Sequence, residues 1–266
     1  MRTAIGWQSC GRTDVGMVRE LNEDAFLERA EIGLWVVADG MGGHTAGDVA
    51  SHMICDRLAA IERPAGLAPF VDEVEERLLA VNAELRAIAA RREARTVGST
   101  VVALLAHGEH AVCLWAGDSR AYLYRHGTLI AVSEDHGLVS ELVAKGVLSV
   151  EEARDHPQAN LITRAVGAAD TLFLDAEIVE LLPEDRWLLC SDGLDKEVSA
   201  AEIAEILAAE PGAPYCDLLV DLALSRGARD NVTVVAITVH EGEPGETADG
   251  RSEETTCPGA AARRAR

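Results

Sequence analysis

Lysine is nearly missing from this chain. Of its 24 basic residues only Lys145 and Lys196 are lysines, and the rest are arginines, a habit of composition rather than of chemistry. Positive charge is short as a whole: 45 Asp plus Glu outnumber the bases and leave a formal charge of −21 over 266 residues. That shortage argues against nucleic acid as the partner, because phosphate backbones recruit clustered positive charge. It argues equally against an anionic membrane surface. Long apolar runs are missing too. No stretch approaches the roughly 18 uninterrupted apolar residues of a membrane span, and Met1–Cys10 carries no apolar core behind a basic start, so no signal peptide is expected. Close cysteine pairs are also absent. Cys10, Cys55, Cys113, Cys190, Cys216 and Cys257 form no CxxC, which speaks against a zinc ribbon or a dense disulfide framework. Cys113 and Cys190 lie inside apolar runs and read as small buried hydrophobes. A reduced, cytoplasmic setting is the expectation.

What is present is a globular composition, with 48% apolar residues and length enough for a substantial core. Strand-like runs occupy Gly33–Ala38, Thr100–Ala106, Ala111–Ala116, Ala121–Tyr124, Leu172–Val179, Trp187–Cys190 and Val232–Val239, the last β-branched almost throughout. Steps of three and four link Phe70, Val74, Leu78, Val81, Leu85 and Ile88 into one helical stripe, with Pro69 near its start. Val49, Met53, Ile54, Leu58 and Ile61 form another. Shorter helices are predicted at Leu138–Lys145, Ala200–Ala209 and Tyr215–Arg226. The mixture predicts an α+β domain over 1–240. The short turn near Gly117–Ser119 suggests antiparallel pairing of the strands on either side. Residues 241–266, rich in Gly, Pro, Glu, Thr and Arg, read as a disordered tail.

The chemical signal is the placement of aspartates at strand ends. One apolar run leads into Asp39-Gly40, another into Gly117-Asp118-Ser119 and a third into Ser191-Asp192-Gly193. Asp230-Asn231 immediately precedes the final strand, and Glu23-Asp24 opens a short apolar segment. A single Asp-Gly is usually only a turn. Several beside strands of one sheet edge can converge in space, and convergent carboxylates repel unless something neutralises them. A hard divalent cation with oxygen ligands, Mg²⁺ or Mn²⁺, is the natural partner. Zinc is disfavoured because no tight Cys or His set is present.

These motifs stand in a characteristic order. Arg19-Glu-Leu-Asn-Glu-Asp24 is followed by Val37-Ala-Asp-Gly-Met-Gly-Gly-His44 and Ala46-Gly-Asp-Val-Ala-Ser51. Then come Gly98-Ser-Thr100, Gly117-Asp-Ser-Arg120, Asp135-His136, His156-Pro157 and Ile162-Thr-Arg-Ala-Val-Gly167. Ser191-Asp-Gly-Leu194 and Arg229-Asp-Asn231 close the set. Together they resemble the metal-dependent serine/threonine phosphatases of the PP2C type in their compact bacterial form, over roughly residues 3–240. The resemblance implies a sandwich of two central antiparallel β-sheets flanked by helices, with two core Mn²⁺ or Mg²⁺ ions at one end. It implies that Asp39 bridges both ions, that Gly40 offers a backbone carbonyl, and that Asp192 and Asp230 complete the core set. Glu23 and Asp24 would hold metal waters, and Asp118 with Asp192 would form a third, weaker site. Arg19 would grip the substrate phosphate.

The implied reaction is hydrolysis of phosphoserine or phosphothreonine on proteins by a metal-activated water, with no covalent phosphoenzyme. Where some members carry a histidine after the Asp-Gly this chain has Met41, so His44 is either a general acid or a support for the turn. His136 reads as structural, bonding the start of the following segment. Ser119 and Ser191 lack a histidine partner and are assigned turn roles. Gly137–Gly167 matches the family's flap, within which Arg164 either faces the phosphoprotein or is an ordinary solvated arginine. Gly137 and Val166 depart mildly from the family there. The implied partners are phosphoproteins and a Ser/Thr kinase with its targets, in some relatives a kinase controlling type VI secretion. A catalytically silent docking module would be marked by loss of a metal aspartate, and none is lost. A phosphoesterase for small molecules would use the same ions.

Overall fold

The computed structural model describes residues 4–42, 46–91, 96–149, 152–153, 156–158 and 161–242. Eleven strands are named among them. Strands β1 (Ala4–Asp14), β7 (Arg120–Arg125), β8 (Thr128–Ala131), β10 (Arg186–Cys190) and β11 (Val232–Gly242) build one sheet in the order β1-β11-β10-β7-β8. Strands β2 (Asp24–Arg29), β3 (Leu34–Met41), β5 (Val101–His107), β6 (His110–Ala116) and β9 (Asp175–Glu180) build the second, with the two-residue β4 (Gly98–Ser99) paired to β3. Every pairing is antiparallel. Helices α1 (Ala46–Ala59) and α2 (Leu67–Arg91) cover the second sheet. Helices α4 (Asp192–Asp195), α5 (Ala200–Leu207) and α6 (Tyr215–Ser225) cover the first, and α3 (Leu138–Ala144) lies in the segment after β8.

Three apolar layers hold these elements together. Between the sheets Trp35, Val37, Leu104, Trp187, Leu189 and Ile237 interdigitate from both inner faces, the packing expected of a sandwich. The predicted stripe of α2 is buried at Phe70, Val74, Leu78, Val81 and Leu85 against Val36, Ala103 and Leu114. On the far side Ile203, Leu219 and Val220 meet Leu188, Val234 and Ala236. Strands covered on both faces read as near-continuous apolar runs, which is why the buried parts of β5, β6 and β11 stand out in the sequence. The expected α-β-β-α sandwich is the fold observed. Cys113 and Cys190 are fully buried, as expected. Among the described residues no helix is long and apolar enough to cross a membrane.

Beyond β2, β4 and α4, which the sequence reading does not include, four features differ from expectation. The run predicted from Leu172 becomes a strand only at Asp175, where pairing with Trp115 of β6 begins. β1 went unread because its sequence, AIGWQSCGRTD, is half polar; it is a strand because all eleven residues pair with β11. β8 also went unread, an edge strand of four mostly exposed residues. The turn at Gly117–Ser119 does not make a hairpin. β6 and β7 belong to different sheets, so this turn carries the chain across the sandwich. The boundary expected between 240 and 241 falls inside β11, where Glu241 and Gly242 pair with Ile5 and Ala4; the tail beyond 242 lies outside the described residues.

Candidate functional site

Antiparallel register brings the aspartates to one end of the sandwich. Asp24 opens β2 directly opposite Asp39 near the end of β3. In the other sheet Asp192 follows the end of β10, and Asp230 precedes the start of β11. Ser191 donates its N–H to Thr233 O across that junction. Asp118 sits on the crossing turn between β6 and β7. The two sheets are tied together here by one carboxylate oxygen. Asp24 Oδ2 accepts from Ser191 Oγ at 2.8 Å and from Thr233 Oγ1 at 2.7 Å, and both hydroxyls are buried.

The backbone around Asp39 is clamped from both sides. Its N–H donates to Thr100 Oγ1 (3.0 Å), its carbonyl accepts from Thr100 N (2.8 Å), and Thr100 Oγ1 lies 2.7 Å from Ser119 Oγ. Gly40 donates to Glu23 O at 3.0 Å. A Cβ at Gly40 would fall 2.1 Å from Gly47 O and 2.5 Å from Glu23 O, so only glycine lets these three backbones meet. Asn231 fixes the opposite wall. Its side chain accepts from Glu23 N (2.8 Å) and donates to Val15 O and Leu21 O, anchoring the loop that carries Arg19.

The electrostatics are those of an acid cluster short of cations. Burial, then Asp24, Asp192, Asp118 and Asp230, push the Asp39 carboxyl well above its ordinary range. Burial and the neighbouring Asp192 and Asp230 raise Asp24 to about 6 against its two hydroxyl bonds. Burial, Asp192 and Asp135 raise Asp118 to about 7. Asp192 is raised by burial although Lys196 opposes it. Asp230 alone is lowered: burial pushes it up, but Lys196 and Arg19 outweigh that. Lys196 Nζ lies 2.5 Å from Asp192 Oδ2 and 3.1 Å from Asp230 Oδ2. Arg19 Nε lies 2.9 Å from Asp230 Oδ1, with half of its side chain in solvent.

Glu23 Oε1, Asp24 Oδ1, Asp118 Oδ1 and Asp192 Oδ1 are buried oxygens with no hydrogen-bond partner. Buried polar atoms are rarely left so, and four orphan carboxylate oxygens at one end of the fold suit a hard cation. Among the described residues no three His, Cys, Asp or Glu side chains close around a single point. An ion here would therefore take much of its shell from backbone oxygen and water, as Mg²⁺ and Mn²⁺ do. On chemistry and on unsatisfied oxygens the residues fit such ions.

Arg164 and His136 stand apart from this cluster. His44 lies outside the described residues. Arg164 turns to the side, where its Nη1 donates to Asp175 Oδ1 at 2.7 Å. His136 is structural, though not through the contact expected of it. Its Nδ1 accepts from Gly117 N (3.2 Å), so the other nitrogen carries the proton and faces Asp175 Oδ2 at 3.0 Å. The ring stacks on Trp115. His136, Asp175 and Arg164 thus brace the turn that holds Asp118 against the segment that follows β8. Ser119 and Ser191 act as hydrogen-bonding supports for Thr100 and Asp24, a more definite role than a turn. Lys196 and Asp175 went unread as site residues. The signal available for Lys196 was its spacing: four residues after Asp192, one helical turn places the two side chains together. Nothing local marks Asp175.

Comparison with known proteins bears on the family and the fold. The family described as Protein phosphatase 2C matches residues 18–221. The serine/threonine protein phosphatase PstP of Mycobacterium tuberculosis is 37% identical over 280 residues, covering 99% of this chain and 52% of that protein. The chain thus spans about half the length of this curated relative. Among solved structures, PppA, titled a key regulatory component of T6SS in Pseudomonas aeruginosa, superposes with a TM-score of 0.84. It is 42% identical and is covered along 100% of its length by 90% of this chain. A catalytic domain of PstP in complex with two manganese ions is 35% identical with a TM-score of 0.78, over 89% of this chain and 99% of that one.

Proposed function

The chain belongs to the Protein phosphatase 2C family, and from that premise we propose that it is a metal-dependent phosphatase acting on phosphoserine and phosphothreonine in proteins. The observation that carries this reading is the set of four buried, unpartnered carboxylate oxygens gathered beside Asp39. Asp39, the Gly40 carbonyl, Asp192 and Asp230 would hold two core Mn²⁺ or Mg²⁺ ions, and Asp118 with Asp192 a third. Such ions supply Lewis acidity and lower the pKa of water towards neutrality.

The chain's own groups do the rest. Glu23 and Asp24 present acceptor oxygens that orient water. Ser191 and Thr233 fix the Asp24 carboxylate, so its free oxygen keeps one direction. Arg19 is held at one edge by Asp230 and offers its exposed face to two phosphate oxygens, a geometry the planar guanidinium suits. Attack in line with the leaving seryl or threonyl oxygen needs no protein nucleophile, consistent with Ser119 and Ser191 being engaged in support.

The likeness to PstP and PppA favours a role opposing a Ser/Thr kinase, and the likeness to PppA favours a type VI secretion setting. Turnover of phosphothreonine peptides should require added Mn²⁺ and stop with a chelator. Chelator-resistant turnover would overturn the reading. A preference for small phosphate esters over phosphopeptides would move it to a different substrate class. Phosphoproteomes with and without the chain would identify the substrates.

A further inference from the structure

On the sheet of β1 and β11, four residues along β1 from its Asp14 end, two cysteines separated by 206 residues of sequence meet. Cys10 lies on β1 and Cys216 is the second residue of α6. Their sulfurs are 2.7 Å apart, and Cys216 Sγ also lies 2.8 Å from the Cys10 carbonyl oxygen, to which it donates. A disulfide is about 2.05 Å long, so the two sulfurs sit closer than unbonded neighbours rest and a short step from a bond. The surroundings differ for the two. Cys216 is buried, whereas Cys10 is partly exposed at a surface recess of about 320 Å³ lined by Gln8, Gly212, Pro214 and Thr238. Cys10 is therefore the thiol a small oxidant reaches, and Cys216 the one placed to resolve the product. Nothing in the proposed phosphatase chemistry uses either residue.

We propose that Cys10 and Cys216 form a reversible disulfide, generated by a small peroxide entering this recess. The Cys10 thiolate attacks one peroxide oxygen, breaking the O–O bond and releasing hydroxide, and becomes a sulfenic acid. Cys216 then attacks the Cys10 sulfur; the S–O bond breaks, the S–S bond forms, and the displaced hydroxide takes a proton to leave as water. Two thiols are oxidised by two electrons and hydrogen peroxide is reduced to two waters. The position gives the bond a mechanical meaning. β1 pairs with β11 along its whole length and leads at Asp14 into the loop carrying Arg19. A bridge to α6 would staple this edge strand to the outer helical layer. Cys55, Cys113 and Cys190 are buried elsewhere and serve as internal controls.

The test uses the full chain, treated with hydrogen peroxide, blocked with an alkylating agent and digested with trypsin. The expected product is a cross-link between the peptides spanning 3–12 and 197–226, in near-stoichiometric yield and reversed by a thiol reductant. The thermal midpoint should rise on oxidation by about 5–10 °C, because a long closed loop constrains the unfolded chain. Both changes should vanish in Cys10→Ser and in Cys216→Ser. Sulfinic acid at Cys10 without a cross-link, a cross-link from Cys10 to the peptide holding Cys257, or two cysteines that stay alkylatable would each overturn the proposal. The peptide map decides even if one serine variant folds poorly.

Discussion

Asp24 and Asp185 are both almost fully buried, at 3% and 1% exposure, and the fold completes them in opposite ways. Asp185 receives Arg125 in a two-pronged pair at 2.7 and 2.5 Å, and Leu182 N donates to it at 2.8 Å. Its countercharge is another side chain of the same polypeptide. Asp24 receives two hydroxyls on one oxygen and nothing on the other, and it faces Asp39, Asp192 and Asp230 rather than a partner of opposite sign. A buried charge left unpaired costs several kcal/mol. Natural folds tolerate that where a ligand finishes the site. Lys196 and Arg19 compensate Asp230 and part of Asp192, leaving the Asp24–Asp39–Asp118 side for a cation to complete.

Three substitutions test this contrast. The largest effect is expected from Asp39→Asn, which removes the charge at the centre of the incomplete cluster. Manganese-dependent turnover should fall by about a thousandfold, the scale of several kcal/mol of lost charge stabilisation, while the circular dichroism spectrum stays unchanged. Activity within tenfold of the parent would remove Asp39 from the centre of the site.

Arg125→Ala breaks the completed pair and leaves Asp185 charged and buried. Unfolding in urea should show a loss of about 3–5 kcal/mol, with no specific change in the manganese requirement. A loss under 1 kcal/mol would mean that water reaches Asp185 and that the contrast is one of exposure rather than pairing.

The smallest effect is a change of slope. The Asp24 carboxyl titrates near 6 in the fold against about 3.8 when unfolded. With its folded pKa raised, the folded protein binds more protons in that window, so stability falls as pH rises from about 4 through about 6. In chelator, Asp24→Asn should flatten this decline and leave the part due to Asp39 and Asp118. It should also reduce the rise in thermal midpoint that Mn²⁺ produces. Urea midpoints measured across that range check the sign; an equally steep decline in the variant would place the titration elsewhere.

Much of the sandwich was legible in advance because its inner strands are covered on both faces. Residues 101–106 are apolar throughout and 232–239 are apolar but for Thr233 and Thr238, and that pattern is visible in one dimension. The stripe from Phe70 to Leu85 is legible for the same reason, since a helix can bury only one side. β1 escaped because it lies at a sheet edge and is polar along half its length. The Gly117–Ser119 turn is ambiguous in sequence because a three-residue connection serves a hairpin and a crossing between sheets equally well. In the site, the aspartates announced themselves by standing at strand ends. His136, Asp175 and Arg164 did not, because their association depends on segments 28 and 39 residues apart folding over one another.

By itself, then, the sequence determined which segments must be buried, which strand ends carry carboxylates, and which ordered motifs mark the family. Those are local properties: side-chain polarity, helical and strand periodicity, and residue type at a turn. Tertiary structure alone decided which oxygens are left without partners, which acids Lys196 and Arg19 neutralise, and that Cys10 meets Cys216. Each of these depends on distances between groups far apart in the chain. Coulombic, hydrogen-bond and sulfur contacts act over only a few ångströms, so they exist only once the two sheets and their helices have closed.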